Sequence, residues 1–162
     1  AVTFRDATAA DHSFLREMLF EAVYWPPDRV RPATVDEGLA PPELEHILAG
    51  WGRPDDLALI VETDGQPVGA VWRRSWDNRE NSYGYVDAAT PVVGIAVAPG
   101  WRGRGIGREL LTRLIERSRA EGFSRLSLSV EKDNPSRFLY SSCGFATIQE
   151  DADDYIMVLE LR

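Results

Sequence analysis

Apolar positions change their spacing along the chain, and each spacing predicts an element. Val2 to Arg5 reads as a short strand. Thr8 and Asp11 follow as candidate helix caps. Phe14, Leu15, Met18, Leu19, Ala22 and Val23 then recur at helical spacing until Pro26 and Pro27 stop the pattern. Residues 24–42 are rich in proline and charge and predict a loop. Pro41 and Pro42 suit the first turn of a second helix, with Leu44, Ile47 and Leu48 on its inner face. Leu57 to Glu62 and Val68 to Trp76 predict two strands joined by a hairpin turn at Asp64-Gly65. Residues 77–90 read as a polar loop carrying Tyr83, Gly84, Tyr85 and Asp87.

The second half is more regular. Val92 to Val97 is almost continuously apolar, as expected of a central strand covered on both faces. From Gly105, Ile106, Leu110, Leu111, Leu114 and Ile115 share one helical face with arginines opposite, and Gly122 ends the pattern. Leu126, Leu128 and Val130 alternate as a strand. Asn134-Pro135 opens a further helix, which Gly144 closes in a left-handed cap. Phe145 to Gln149 and Tyr155 to Leu161 are the last two strands, joined across an acidic turn. Paired strands first, then alternating strands and helices, predict a mixed α/β sheet rather than a fully alternating one. With no repeat, linker or low-complexity tract, the 162 residues suit a single domain, 1–162.

The chemistry lies where the apolar strand meets the long helix. Residues 97–107 read Val-Ala-Pro-Gly-Trp-Arg-Gly-Arg-Gly-Ile-Gly. Glycines there let the backbone bend back and aim several N–H groups at one spot. The helix N-terminus adds partial positive charge, so the segment predicts a cradle for a pyrophosphate. No Lys-Ser/Thr follows the glycines, which counts against a nucleoside-triphosphatase loop. Gly103, Gly105 and Gly107 are spaced two and two, with Arg108 where a dinucleotide fingerprint needs its third glycine. The string does fit Arg/Gln-x-x-Gly-x-Gly/Ala, as Arg102-Gly103-Arg104-Gly105-Ile106-Gly107. It resembles the coenzyme A pyrophosphate loop of the GNAT-family N-acetyltransferases. Residues 134–145, Asn-Pro-Ser-Arg-Phe-Leu-Tyr-Ser-Ser-Cys-Gly-Phe, resemble the later signature of that family, one helix and one strand further on.

The resemblance implies the GNAT acyltransferase fold, a central mixed, mostly antiparallel sheet flanked by about four helices. It implies transfer of an acetyl group from acetyl-CoA to a primary amine of a small molecule or peptide by direct attack, without an acyl-enzyme. The alternative is a non-catalytic acyl-CoA-binding module used for sensing. Carried over by position, the main chain of Ile95, Ala96 and Val97 would hold the pantetheine. The loop residues Arg102, Gly103, Arg104, Gly105, Ile106, Gly107 and Arg108 would hold the diphosphate. Asn134, which is also a good helix cap, would bond the pantetheine. Tyr140 would be the general acid, since a phenol with pKa near 10 keeps its proton at neutral pH; the second reading of this residue is an aromatic ring packed under the sheet.

One departure concerns the base. Relatives often carry a Glu near the start of the central strand, where this chain has Val92 and Val93. Asp87 and Glu80 are the nearest carboxylates by sequence, with Asp87 placed first and the lone His46 behind them. A water relay or an amine that arrives neutral are the other solutions. The aromatic loops around Trp25 and Tyr85 would flank a cationic acceptor by analogy, although loop packing explains them as well.

Composition narrows the partners. The net charge of −8 counts against nucleic acid. Arg102, Arg104, Arg108, Arg113, Arg117 and Arg119 nevertheless cluster around the glycine loop and its helix, which suits a compact anion. No apolar run is long enough to span a bilayer, and the first residues lack a signal-peptide layout. A single cysteine, Cys143, excludes an internal disulfide and reads as a small buried hydrophobe. The expectations are therefore a cytoplasmic enzyme with no metal and no membrane partner, forming a homodimer through its final strands if it follows the family. Arginine almost replaces lysine, Lys132 being the one lysine, which hints at a GC-rich bacterial genome.

Overall fold

The computed structural model describes residues 1–77 and 82–162. Among the described residues are seven strands: β1 (Val2–Asp6), β2 (Leu57–Thr63), β3 (Gln66–Arg74), β4 (Val92–Val97), β5 (Arg125–Glu131), β6 (Ala146–Glu150) and β7 (Asp154–Glu160). They form one sheet in the order β1-β2-β3-β4-β5-β7-β6. The helices are α1 (His12–Val23), α2 (Val35–Gly38), α3 (Pro42–Glu45), α4 (Ile106–Ala120) and α5 (Ser136–Ser142). β1–β2, β5–β7 and β6–β7 pair antiparallel, whereas β4–β5 is parallel, so the sheet is mixed as its sequence order predicts. No helix among the described residues is long and apolar enough to cross a membrane.

The chain divides into two compact units, Ala1–Trp72 with Gly94–Leu111, and Arg73–Val93 with Thr112–Arg162. In the first, Leu15, Met18, Leu19 and Phe20 of α1 pack with Ile60, Ala70, Trp72, Leu39 and Leu48 into one core. The first turn before α1 is tied down by charge. Arg5 donates to both carboxylate oxygens of Asp11 at 2.8 Å, and Asp11 accepts the Thr8 N–H at 2.7 Å. The β2–β3 turn places Asp64 at φ 50° and Gly65 at φ 76°, the left-handed pair that a two-residue hairpin favours. Gly94 of β4 lies beneath the indole of Trp72, where an added Cβ would stand 2.4 Å from the ring.

Several boundaries differ from the sequence expectation. The predicted loop 24–42 contains α2, which Thr34 caps by accepting the Glu37 N–H at 3.1 Å. The second helix is a single turn, α3, although Leu48 beyond it is still buried. β3 ends at Arg74, with Trp76 past its end. β4 is not covered on both faces; only Val93 is buried and the rest are half-buried.

In the second unit, α4 buries Leu114 and Ile115, and β5 buries Leu126, Leu128 and Val130. Arg73 is buried beside them. It donates to Ser118 Oγ at 2.7 Å, pairs with Glu121, and lies 4.6 Å from the Phe123 ring centroid. A buried guanidinium is tolerable only when its donors are met in this way. The β6–β7 ladder is interrupted by a register shift between Thr147 and Gln149.

Candidate active site

The first unit carries the glycine loop. β4 runs out where Ala98 N–H donates to Val68 O at 2.8 Å, and Trp101 N–H then closes a turn on Ala98 O at 3.1 Å. Gly100, Gly103 and Gly105 take φ 90°, 76° and 80°, left-handed values that any residue with a Cβ would hold under strain. Nothing lies within 4 Å of an added Cβ at any of the three, so the loop opens onto free space. Alternating left-handed residues bring successive N–H groups onto one concave face, which is an anion site in its own right. The α4 N-terminus begins at Ile106, directly behind them. Gly107 behaves differently from its neighbours. It sits inside the first turn of α4 as an ordinary helical residue, so the bend is made by Gly100, Gly103 and Gly105.

Three arginines lie in this loop or in the first turn of α4, and all are exposed: Arg102, Arg104 and Arg108. Arg102 folds back on the strand, with Nε donating to Val97 O at 2.9 Å and an Nη donating to Glu21 at 3.2 Å. Glu21 also accepts from Arg31 at 2.7 Å. The Arg104 guanidinium stacks 4.6 Å from the Trp101 ring centroid. Cationic guanidiniums on a helix N-terminus with open backbone N–H groups can hold two phosphates at close quarters. The chemistry and the room at this loop fit a diphosphate.

β4 supplies the second feature. Its parallel ladder with β5 has one register pair, Val92↔Ser127, reinforced by Ser127 N–H donating to Pro91 O at 3.0 Å. The half-buried Ile95, Ala96 and Val97 lie beyond that pair, towards the glycine loop. A strand that stops pairing on one side presents main-chain donors and acceptors there.

The second unit carries the remaining predicted residues. Tyr140 on α5 is 8% exposed, with its ring 6.1 Å from that of Phe145. Burial disfavours the phenolate and pushes its pKa well above 10. Asn134 stands one residue ahead of the expected cap position, since Pro135 caps α5, yet its Oδ1 still accepts the Ser136 N–H at 2.9 Å and its carbonyl the Arg137 N–H at 3.2 Å. Cys143 ends α5 half-buried rather than in the core.

Asp87 is heavily engaged. Its carboxylate accepts from Thr90 Oγ1 at 2.8 Å and Ala89 N–H at 2.9 Å, and pairs with Arg125. Partial desolvation pushes its pKa up, but the Thr90 and Ala89 hydrogen bonds and the Arg125 charge outweigh this and hold it below the ordinary range. The neighbouring Gly84 carbonyl accepts from buried Ser127 Oγ at 2.8 Å, so this loop is pinned onto β5. Glu80 lies outside the described residues. His46 is half-buried at the C-terminal end of α3. Trp25 and Tyr85 are both half-buried, the first in the first unit and the second in the second. Among the described residues, no three His, Cys, Asp or Glu side chains group as metal ligands.

Glu21 and Arg31 were not legible as site residues. In sequence they are one position on the polar side of a helix and one charge in a proline-rich loop. Only the fold sets both beside Arg102.

The family profile described as "Acetyltransferase (GNAT) family" matches residues 18–145. A mycothiol acetyltransferase of Beutenbergia cavernae is 34% identical over 101 residues, covering 60% of this chain and 31% of the relative. The chain thus spans about a third of that relative's length. Among solved structures, a putative acetyltransferase from Salmonella typhimurium with its cofactor acetyl-CoA superposes with a TM-score of 0.71 at 25% identity, covering 100% of this chain and 95% of the other. An N-acetyltransferase from Thermoplasma acidophilum in complex with coenzyme A gives a TM-score of 0.72 at 19% identity and 99% coverage of both chains, a likeness of fold.

Proposed function

The chain belongs to the GNAT acetyltransferase family, and from that premise we propose that it transfers the acetyl group of acetyl-CoA to the primary amine of an acceptor. The observation that carries the reading is the open loop of left-handed glycines at the α4 N-terminus, flanked by Arg102 and Arg104. Acetyl-CoA is the co-substrate and supplies an activated acyl carbon; the protein's part is to hold, polarise and protonate.

In this reading the N–H groups of residues 103–107, with Arg102, Arg104 and Arg108, bind the diphosphate. The main chain of Ile95, Ala96 and Val97 aligns the pantetheine and donates to the thioester carbonyl as negative charge develops on its oxygen. The amine nitrogen bonds to the acyl carbon and the C–S bond breaks. Tyr140 gives its proton to the departing sulfur and is reprotonated from solvent. Burial keeps the proton on the phenol at neutral pH and makes it a weaker acid, so in this reading transfer follows only once negative charge has formed on the sulfur. Asn134 positions the start of α5 and, through its remaining amide groups, bonds the pantetheine.

Asp87 suits a loop anchor better than a base. A carboxylate already accepting from three donors, with its pKa held low, takes up a further proton poorly. Amine deprotonation through water fits this chain better.

The decisive experiment supplies the purified protein with acetyl-CoA and a panel of primary amines, reading free thiol and the mass of the amide. Thiol release that depends on the amine, and drops in Tyr140→Phe, is the expected result. Saturable acetyl-CoA binding with no thiol release for any amine would identify a non-catalytic binding module and overturn the proposal.

A further inference from the structure

Arg102 is held at two points. Its Nε donates to the Val97 carbonyl at 2.9 Å, and one Nη donates to Glu21 Oε1 at 3.2 Å. The other Nη makes no bond with a described residue, and the side chain is 47% exposed. Glu21 is itself fixed. It lies in the last turn of α1 with its side chain 14% exposed, and its second oxygen, Oε2, accepts from Arg31 at 2.7 Å. Arg31 is held in turn by the Tyr24 carbonyl at 3.2 Å and by the Phe20 ring, whose centroid lies 4.9 Å from the guanidinium carbon. All of these residues belong to the first unit.

This arrangement divides the donors of one guanidinium. A planar fork bonded on one side by a carbonyl and a carboxylate cannot rotate freely, and its remaining Nη is left to meet an anion. An arginine that grips phosphate from free solution gives up its rotamer freedom at that moment. One fixed by the fold has already given it up. The same carboxylate also repels phosphate, and that effect has the opposite sign. Length and charge separate the two effects. The contact with Arg102 is the longer of the two that Glu21 makes, so a side chain one methylene shorter gives up Arg102 first and keeps its charge.

We propose that Glu21 is a positioning residue for the coenzyme: with the Val97 carbonyl it sets the Arg102 guanidinium so that the remaining Nη meets the diphosphate. The inference rests on the acetyltransfer reading for the identity of the anion, but it can be measured without turnover.

The test is calorimetric titration of coenzyme A into the native chain, Glu21→Asp, Arg102→Met and the double variant. Glu21→Asp should bind coenzyme A about 3- to 10-fold more weakly, although its charge is native. In the Arg102→Met background the same change should have no further effect, because the guanidinium it positions is gone. With an amine that the chain acetylates, Glu21→Asp should raise KM for acetyl-CoA and leave kcat alone. Melting temperatures well above that of the titration show that each variant is folded. Native or tighter affinity in Glu21→Asp overturns the inference. A loss of equal size in the Arg102→Met background overturns it too, since the change would then act through the fold at large. So does a fall in kcat with KM unmoved. Affinities that follow the expected pattern while no amine is acetylated leave Glu21 assigned and sink the acetyltransfer reading instead.

Discussion

Replacing Gly103 and Gly105 together by alanine tests the loop with a cost that can be worked out beforehand. No heavy atom lies within 4 Å of an added Cβ at either position, so the methyl groups meet nothing. The whole penalty is backbone conformation. At φ 76° and 80° an L residue crowds its following carbonyl, at about 1–2 kcal/mol each. The pair costs about 2–4 kcal/mol in the required shape, while a stiffer unfolded chain returns about 0.4–1 kcal/mol per site. From unfolded chain to coenzyme-bound protein the net is about 0–3 kcal/mol, centred near 1.5 kcal/mol.

That net loss can appear in two ways. A loop that keeps its shape without ligand makes the variant melt up to about 12 °C lower with affinity intact. A loop that relaxes spares stability and must be rebent on binding, so coenzyme A binds about 30- to 700-fold more weakly. In either case the stability loss and the affinity loss add to the same total, because the ends of the cycle are fixed. Denaturant titration and calorimetric titration of coenzyme A measure the two parts. A variant that gains about 1 kcal/mol of stability with its affinity intact, as a stiffer unfolded chain alone would give, refutes the claim that these glycines are conformationally required. Gly50 and Gly52 are also at positive φ with open space around them, and changing them should cost stability alone. An equal affinity loss there refutes the assignment of the 100–108 loop to the coenzyme.

Other outcomes follow from the same geometry. Tyr140→Phe should lower kcat by about 10²–10⁴-fold, and native activity should show no alkaline loss below the ordinary phenol range, because burial raises this pKa; a limb centred below pH 10 in kcat, assigned by its absence in the Phe variant, contradicts that. Asp87→Asn should cost about 1 kcal/mol of stability through its Thr90, Ala89 and Arg125 contacts and leave kcat nearly unchanged; a fall of ~10²-fold would return the base role to this carboxylate. The Arg5 hydrogen bonds and charge hold Asp11 at about 2 against an ordinary 3.8. Its folded pKa is the lower one, so the pair stabilises above pH 3.8 and the gain is lost as pH falls through 2. Asp11→Asn should remove about 1–2 kcal/mol at pH 7 and flatten the acid limb between those values in a pH-stability curve. Leu114→Ala, fully buried on α4, should cost about 2–5 kcal/mol by chemical denaturation.

The chain itself determined its regular elements and its loop chemistry. The helical recurrence of Leu110, Leu111 and Leu114, the alternation of Leu126, Leu128 and Val130, and the glycines at 103 and 105 are local patterns, and local backbone sterics and amphipathicity decide them. Short elements escaped because one turn has too few periodic positions to read: α2 depends on its Thr34 cap and on Gly38 seated against Phe20, and α3 ends as soon as its capping turn does. The register of β4 also belongs to the tertiary structure. An apolar run looks the same whether its neighbour pairs along its whole length or, as here, at Val92 alone. So does the charge network at the loop: Glu21, Arg31 and Arg102 meet across 81 residues of chain, and no spacing in a sequence records which of many surface charges a fold will bring within hydrogen-bond reach.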